Sequence, residues 1–390
     1  MKLFLSTVLL TVCMIGASSK SFAQSDLQIY GFFQTTLSKI DGGYSAVADV
    51  PPSIFGTSKL TLQQQKENYL SPSVQQLNIF GRKEIDQNFT AWINLEVTGS
   101  YNSDLKWGGL SLQEAWVNYQ TSDAFNIKAG LLIPRFAYLN EIKNRMPLLP
   151  YIFRPLVYES SISDINQEDY VPERAFLQVF GYLPYGNVVF DYAAFVGPSE
   201  SKYIAGPGIA IGGNSVDTTN FKMFGGRIGL KYNEFRFGIS GTSDKNNQQS
   251  TISENVPRTR VAFDLGYSLD NFFFDAEYIS VHLSPQNSNQ NMDKLFYYST
   301  LGYNFSEKLF GYCSYSYIKD NNNSILKAGM KGIIIGAGFK PISEVVVKAS
   351  YSNYYGNSST MTVLDPSLPA VNTNIDVNVK AYQLAISVLF

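Results

Sequence analysis

Apolar and polar residues alternate along much of this chain, and a period of two is typical of β-strands whose two faces meet different surroundings. The alternation is clearest over 89–98, 125–133 and 258–269. In the first of these segments one face is apolar and consists of Phe89, Ala91, Ile93, Leu95 and Val97. A soluble sandwich alternates in the same way, so the pattern predicts strands without fixing their arrangement.

The order of turns and loops favours a barrel. We predict sixteen strands, at 27–38, 73–85, 88–101, 109–121, 124–133, 174–184, 187–196, 222–232, 234–243, 257–269, 271–283, 293–305, 308–318, 326–341, 343–355 and 374–390. Each tight turn between them is followed by a longer connection, and the longer ones include 39–72, 134–173 and 356–373. Short periplasmic turns that alternate with long outer loops are typical of an up-and-down outer-membrane barrel. The predicted fold is therefore an all-β, transmembrane, antiparallel barrel of about sixteen strands.

The final strand carries a further signal. Its apolar face consists of Tyr382, Leu384, Ile386, Val388 and Phe390. A terminal Phe on such a strand resembles the sorting signal of outer-membrane barrels, so Phe390 is the predicted contact with the barrel-assembly machinery. Before Tyr382, the even-numbered positions of the same strand carry polar residues. This change indicates either a bulge near Lys380 or a stretch that lies above the hydrocarbon.

The N-terminal segment has the features of an export signal. Lys2 precedes an apolar stretch from Leu3 to Gly16, and small residues lead to a cleavage site after Ala23, as in a cleaved signal peptide. The apolar stretch is short against the ~20 residues that span a bilayer, and Cys13 leaves a lipoprotein signal open. We predict a signal peptide at 1–23 and one barrel domain at 24–390.

Charge and cysteine content narrow the partners. Cleavage would leave 28 basic and 32 acidic residues, a formal charge of −4, which argues against a nucleic-acid partner. Cys313 alone would remain, so no internal disulfide is expected. No run of ~18 apolar residues follows the signal, so no transmembrane helix is predicted.

The polar faces of the strands indicate an aqueous interior. A sheet in hydrocarbon must close so that its backbone groups are paired, and closure gives it an inner and an outer face. Many charges on the inner face would be very costly in a dry core, whereas ~16 strands enclose a channel. The predicted inner-face charges are Glu96, Glu114, Lys128, Arg174, Arg227, Lys231, Arg236, Arg258, Arg260, Asp264, Asp275, Glu277 and Lys348. Aromatic residues toward the strand ends predict girdles at the two interfaces, formed by Phe272, Phe274, Tyr297, Tyr303, Phe305, Tyr312, Tyr351 and Tyr355.

The longest connection, 134–173, is the third long loop. It is rich in proline and in large apolar residues, so we expect it to fold inward and pack inside the barrel. Its second half is acidic, at Asp164, Glu168 and Asp169. This arrangement resembles general diffusion porins, and the resemblance implies a loop that faces a basic wall across a narrow polar eyelet. The wall residues here would be Arg227, Arg236, Arg258 and Arg260. Opposed charges would create a transverse field that favours polar solutes, although each charge could simply solvate the lumen.

One region resembles a particular porin group. The segments 113–119, 126–130 and 134–136, with 77–82 before them, look like the porin superfamily that contains the phosphate-selective porins O and P. The likeness covers roughly residues 73–140 and implies a sixteen-stranded barrel that is usually a trimer. Phosphate selectivity needs a dense ladder of Arg and Lys in the lumen, whereas the predicted inner face here mixes signs. The identity of the solute therefore stays open.

The sequence predicts an outer-membrane porin, in contact with outer-membrane lipid and lipopolysaccharide, that lets ions and small polar solutes diffuse through a water-filled channel without a cofactor. A structural or adhesive barrel with an occluded lumen stays open, as does a substrate-specific transporter, although Gln63, Gln64 and Gln65 are too polar for an apolar gate. Enzymatic proton transfer usually needs His. The single His282 lies beside Ser284 near a strand end, so no enzymatic activity is expected. No His, Cys and carboxylate cluster suggests a metal site.

Overall fold

The sheet accounts for most of the chain. The structure, a computed structural model, describes residues 27–50, 59–65, 69–102, 106–145, 148–159, 165, 167–199, 222–246, 256–284, 292–323, 325–362 and 371–390. The predicted signal peptide at 1–23 lies outside these ranges. Within them, seventeen strands form one antiparallel sheet. The strands are β1 Gln28–Asp49, β2 Lys59–Gln65, β3 Leu70–Glu84, β4 Phe89–Asn102, β5 Lys106–Ser122, β6 Phe125–Leu132, β7 Ala175–Tyr185, β8 Val188–Pro198, β9 Lys222–Tyr232, β10 Phe235–Asn246, β11 Val256–Leu269, β12 Phe272–Leu283, β13 Lys294–Asn304, β14 Leu309–Asp320, β15 Met330–Ile342, β16 Val345–Thr362 and β17 Val371–Leu389.

The sheet closes on itself at its first strand. β1 pairs with β17 along one edge and with β3 along the other, so β1 and β3 to β17 form a ring of sixteen strands. At the seam the backbone N–H of Gly31 donates to the carbonyl of Phe390 at 2.8 Å, and Phe390 returns the bond at 2.9 Å. The predicted sixteen-stranded antiparallel barrel is confirmed, with β2 as an additional strand.

Short turns join the strands at one end of the barrel, which we call the turn end. Two residues each separate β5 from β6, β7 from β8, β9 from β10, β11 from β12 and β15 from β16. Asn233 and Asp270 adopt positive φ angles of 50° and 49° in two of these turns, a conformation that Asn and Asp tolerate better than other side chains. The tight turns predicted from the sequence are therefore confirmed, and the longer connections lie at the opposite loop end.

The prediction of a first loop at 39–72 is wrong for most of that range. β1 continues to Asp49, and β2 pairs with it from Gly43 opposite Gln65 to Asp49 opposite Lys59. The outer parts of β16 and β17 also extend farther than predicted, into 356–373. These extensions have polar outward positions, so they lack the apolar face by which the other strands were recognised. Pairing with a neighbouring strand holds them in place.

The change of polarity in β17 involves no bulge. β17 pairs with β1 without a register shift from Thr373 opposite Ala48 to Leu389 opposite Phe32. The alternative of an irregularity near Lys380 is therefore excluded. The polar and the apolar outward residues therefore lie on the same face of β17. The polar ones lie nearer the loop end.

This polarity change marks the edge of the apolar band. The outward positions of β17 are apolar from Phe390 to Tyr382 and polar from Lys380 onward, and Tyr382 lies opposite Lys39 on β1. Nine residues at ~3.4 Å each, in a strand tilted as in such barrels, cross an apolar band about 25 Å tall. The outer sheet formed by the ends of β1, β2, β16 and β17 therefore lies beyond the apolar band.

Aromatic residues gather at both edges of this band. At the turn end the rings of Phe272 and Tyr303 lie 4.7 Å apart, and at the loop end those of Tyr297 and Tyr317 lie 5.2 Å apart. The girdle prediction is wrong for Tyr312, which shares the inward parity of β14 and is buried. The other seven predicted aromatics have the outward parity of their strands.

A charged substitution in the apolar band tests where the edge of that band lies. Ile386 lies midway between Phe390 and Tyr382 on the outward face, and we expect Ile386→Arg to lower the free energy of unfolding by about 2–4 kcal/mol, because an Arg would enter the middle of the hydrocarbon. Asn378→Arg, on the same face above the band, is the matched control with a change near zero. Denaturant titration in lipid vesicles measures both, and equal effects would contradict the boundary.

Candidate functional site

The third long loop lies against the inner face of the barrel. Its described residues form two short helices, α1 Leu139–Ile142 and α2 Gln167–Tyr170, with a 3-10 helix at Leu156–Tyr158 between them. Most apolar side chains of the loop are buried, although Leu148 is 67% exposed, and the buried ones share one cluster with inward-facing residues that lie mainly on β12 to β16. The loop members include Phe136, Leu139, Leu156 and Tyr158, and the wall members include Ile279, Phe296, Tyr312 and Ile334. The unusually apolar composition of this loop is explained by that contact.

Glu277 of β12 holds the start of α1. Its Oε1 accepts the backbone N–H of Tyr138 at 2.9 Å and of Leu139 at 2.5 Å, and its Oε2 accepts the hydroxyl of Tyr158 at 2.8 Å. One buried carboxylate thus joins two distant parts of the loop to the wall.

Lys348 of β16 holds the middle of the loop. Its ammonium donates to the carbonyls of Leu149 at 2.7 Å and Tyr151 at 3.1 Å, and the side chain is almost wholly buried. From the neighbouring wall, Gln75 Nε2 donates to the carbonyl of Ile152 at 2.9 Å. We call Lys348 and Gln75 the carbonyl clamp, since they bind the loop through its backbone.

Two of the predicted loop acids meet the basic wall at α2. The guanidinium of Arg260 donates to the backbone carbonyl of Glu168 at 2.6 Å, and that of Arg258 does so at 3.3 Å. The carboxylate of Asp169 lies 3.8 Å from Arg258, but its nearer cation is Lys294 at 2.9 Å. The predicted pairing partners therefore lie together, although the arginines contact Glu168 through its backbone. Asp164 lies outside the described residues.

Arg258 and Arg260 are also paired within the wall. Arg258 forms a two-point bond with Asp244, at 2.9 and 2.5 Å, and Arg260 Nη1 lies 3.3 Å from the same carboxylate. All three side chains have no exposed surface. Removing one member of such a buried set typically costs about 3–5 kcal/mol, because it leaves an uncompensated charge. Sequence reasoning missed Asp244 because β10 extends through it, and missed Lys294, whose inward parity on β13 was the available signal.

Arg227 and Arg236 pair with wall acids rather than with the loop acids. Arg227 binds both oxygens of Asp264, and Arg236 Nη2 donates to Asp275 at 2.8 Å. Arg236 also lies over the ring of Tyr138, 3.1 Å from its centre. Arg236 therefore touches the loop through an aromatic face.

Glycines on the inner face make room for these guanidinium groups. A Cβ at Gly238 would collide with the guanidinium of Arg227, and a Cβ at Gly266 would meet that of Arg236 at 2.6 Å. Both arginines thus lie flat across the neighbouring strand. Inward glycines next to inward arginines are a sequence signal that could have indicated this layer.

The opposite wall carries the remaining predicted residues. Glu96 accepts from Gln76 Nε2 at 2.6 Å, and Glu114 accepts from Trp116 Nε1 at 3.1 Å. The ammonium of Lys128 lies 4.3 Å from the centre of the Trp116 ring, a distance at which a cation is attracted to the ring face. Glu96, Glu114 and Lys128 therefore belong to one polar and aromatic layer on β3 to β6, away from α2.

The first half of the loop is basic, which sequence reasoning missed. Lys143, Arg145 and Arg154 precede the acids of the second half. This basic part meets the wall that carries Glu96, because Gln76 Nε2 bonds both Glu96 and the carbonyl of Asn144, the latter at 3.3 Å. The loop thus presents a basic half to one wall and an acidic half to the other.

The surroundings of two loop acids shift their pKa values in opposite directions. Burial raises the pKa of Glu168, and nearby Glu173 raises it further. Desolvation alone would raise the pKa of Glu141, but the charges of Arg135 and Lys128 outweigh it and lower that pKa. Glu141 therefore stays ionised at lower pH than an ordinary glutamate.

Exposure separates the charges that water reaches from those that it does not. The side chains of Asp275, Arg236 and Asp191 keep 33%, 24% and 20% of their surface exposed, whereas Arg258 and Arg260 keep none. The partly exposed charges of this network thus lie on β8, β10 and β12. The fully buried ones fix α2.

His282 lies away from this network. It has the outward parity of β12, its side chain is 67% exposed, and its Nδ1 lies 2.6 Å from the carboxylate of Asp293. Among the described residues, no group of His, Cys, Asp and Glu side chains is arranged to hold a metal ion. In the same part of the chain, no helix has the length and apolarity to cross a bilayer.

Comparison with solved structures supports the fold. The outer membrane channel DcaP of Acinetobacter baumannii matches with a TM-score of 0.58 and 14% identity, over 96% of this chain and all of that chain. The anion-selective porin from Comamonas acidovorans matches with a TM-score of 0.56 and 11% identity, over 94% of this chain and all of that chain. OmpT of Vibrio cholerae, an outer membrane protein in a trimer form, matches with a TM-score of 0.53 and 12% identity, over 92% of this chain and 99% of that chain. No family model and no curated protein matches this sequence. The chain therefore has the fold of outer-membrane porins and channels, and the resemblance to the phosphate-selective porins O and P has no further support.

The carbonyl clamp gives a direct test of how the loop is held. We expect Lys348→Met to speed hydrogen exchange of the amides in 149–152, because it removes two charge-assisted bonds and leaves buried carbonyls unpaired, at a cost of about 1–3 kcal/mol. Lys340→Met, on β15 near the turn end, is the matched control. Unchanged exchange in 149–152 would show that the clamp does not hold the loop.

Proposed function

We propose that this protein is an outer-membrane porin that forms a water-filled channel for passive diffusion of ions and small polar solutes. The observation that carries this proposal is the set of partly exposed charges on the inner face of a closed ring, at Asp191, Arg236 and Asp275. The exposed part of these side chains leaves them open to water, which lowers the cost of placing a charge on this face. A ring of ~16 strands is wide enough to enclose such water.

The position of the loop supports a route along one side of the lumen. Apolar contacts bind the loop mainly to β12–β16, with Phe195, Met223 and Ala262 of β8, β9 and β11 in the same cluster, while the partly exposed charges lie on β8, β10 and β12. On the loop, Glu141 and the exposed Arg145 add one charge of each sign. We propose that solutes pass between these two sets, in a field set by mixed charges. The predicted constriction residues Glu168 and Asp169 would act indirectly, by fixing α2.

Electrical recording tests the channel. We expect the purified chain to produce stepwise increases of conductance in a planar bilayer, because each inserted barrel would add one aqueous path. Empty detergent micelles are the control. Correctly folded protein that inserts without conductance steps would contradict the proposal.

The accessible charges should set ion selectivity. We expect Arg236→Ala to shift permeability toward cations and Asp275→Asn to shift it toward anions, because each change removes one lumen charge of known sign. Lys380→Gln, on the outer face, is the matched control with little effect. Reversal potentials in a salt gradient measure all three, and equal shifts from the control would contradict the proposed route.

A barrel with an occluded lumen is the second candidate. The observation that favours it is the spread of loop contacts, which reach Gln34 on β1, Gln178 on β7, Ser240 on β10 and Thr300 on β13, as well as Lys348 on β16. A loop bound on so many sides would serve a structural or adhesive barrel. The same recording distinguishes the two, because an occluded barrel inserts without conducting.

Location and assembly are part of this proposal. A chain exported by the segment 1–23 would reach the outer membrane, where its terminal Phe390 would be recognised by the barrel-assembly machinery. The trimer form of Vibrio cholerae OmpT supports a homotrimer. Outer-membrane lipid and lipopolysaccharide would surround the apolar band.

A further inference from the structure

A row of lysines stands just above the apolar band on neighbouring strands. Lys39 on β1, Lys380 on β17, Lys331 on β15 and Lys319 on β14 each occupy an outward position at the loop end of their strands. We call these four residues the lysine row. Tyr355 of β16 completes the row, since it lies opposite Lys331 in the register.

Tyrosines lie beside the lysines on the neighbouring strands. Tyr382 is the register partner of Lys39, and its ring lies 5.1 Å from that of Tyr351. The ammonium of Lys331 lies 6.0 Å from the centre of the Tyr355 ring. Tyrosine rings at a membrane interface mark the level of the headgroups. Lysine stems can cover apolar surface while their charges reach water, so the four ammonium groups stand at headgroup height.

The row carries a net positive charge at the loop end of its strands. Asp41, opposite Lys380 in the register, is the acid within the row. The outward positions at the turn end of the same strands include the apolar Phe390, Leu309 and Ile342. The lysines on the outward face of these strands therefore lie at the loop end.

Other outward cations at this level have partners of their own. His282 on β12 pairs with Asp293, and Lys222 and Lys245 on β9 and β10 also have interactions. The lysine row differs in placing four cations within five neighbouring strands, β14 to β17 and β1. Its position on one side of the barrel makes it a local surface.

We propose that the lysine row binds the phosphate groups of anionic lipids in the outer leaflet. Neighbouring strands lie ~4.8 Å apart, so the row extends over at least about 19 Å, which is too wide for a single phosphate ion and suits a line of headgroups. Lysine is a compact point charge that binds phosphate well. This inference rests on the proposed membrane location but not on conduction.

The test compares lipid binding by two sets of variants of the full chain. The row variant carries Lys39→Gln, Lys319→Gln, Lys331→Gln and Lys380→Gln. A control that removes the same number of charges at the turn end, on either face of the sheet, carries Lys83→Gln, Lys231→Gln, Lys308→Gln and Lys340→Gln. Native mass spectrometry titrates each protein with phosphatidic acid and, separately, with phosphatidylcholine. We expect the row variant to bind phosphatidic acid at least about fivefold more weakly than the parent, the effect of one lysine near an anionic surface. The control should keep the preference of the parent.

Three results would overturn the proposal. The row variant could bind phosphatidic acid as well as the parent does. Excess inorganic phosphate could displace the lipid fully, which would make the row a simple anion site. The row variant could change the number of copies in the assembly, which would make the row an interface between copies. Conductance of the row variant, recorded in parallel, keeps a failure of the channel proposal separate from a failure of this one.

Discussion

The requirement that every backbone hydrogen bond be made within the sheet controls this molecule. A strand in hydrocarbon has no water to satisfy its N–H and C=O groups, so the sheet must return to its own first edge. Here that return is made between Phe390 and Gly31, at the two ends of the described chain. Closure then assigns each residue to one of two faces, because successive side chains of a strand point in opposite directions. A shift of one residue would exchange the two faces along a whole strand, so the alternating sequence fixes the register as well.

The inner face is organised around a loop rather than around empty space. The loop is attached at three kinds of polar contact, provided by Glu277, by Lys348, and by Arg260 with its neighbours. Buried ion pairs contribute little net stability compared with apolar packing. The geometry of these polar contacts is specific, however. Glu277 accepts hydrogen bonds from defined backbone N–H groups of the loop, and Lys348 and Arg260 donate to defined backbone carbonyls. The apolar cluster on β12 to β16 provides the adhesion, and the polar contacts determine where each part of the loop lies.

Patterns within a strand were readable from the sequence, and contacts between distant segments were not. The face that contains Leu384 and Ile386 was predicted correctly, because period-two alternation is local. The extension of β1 to Asp49 was missed, because its outward residues are polar and its place depends on pairing with β17. Asp244 and Lys294 were missed as partners of the predicted charges for the same reason. Each is separated by many residues from the groups it contacts, and no local pattern reports such a contact.

The separation of buried from accessible charges changes how the loop should be understood. Loop acids that face wall arginines suggested a field across an open gap. In the structure Arg258 and Arg260 have no exposed surface, because Asp244 and the backbone of α2 surround them. A charge that no solute can approach acts on that solute only at long range, and neutral pairs have weak fields at long range. The charges able to discriminate between solutes are therefore those left partly exposed, such as Arg236 and Asp275. The loop determines selectivity chiefly by deciding which side of the wall remains in contact with water.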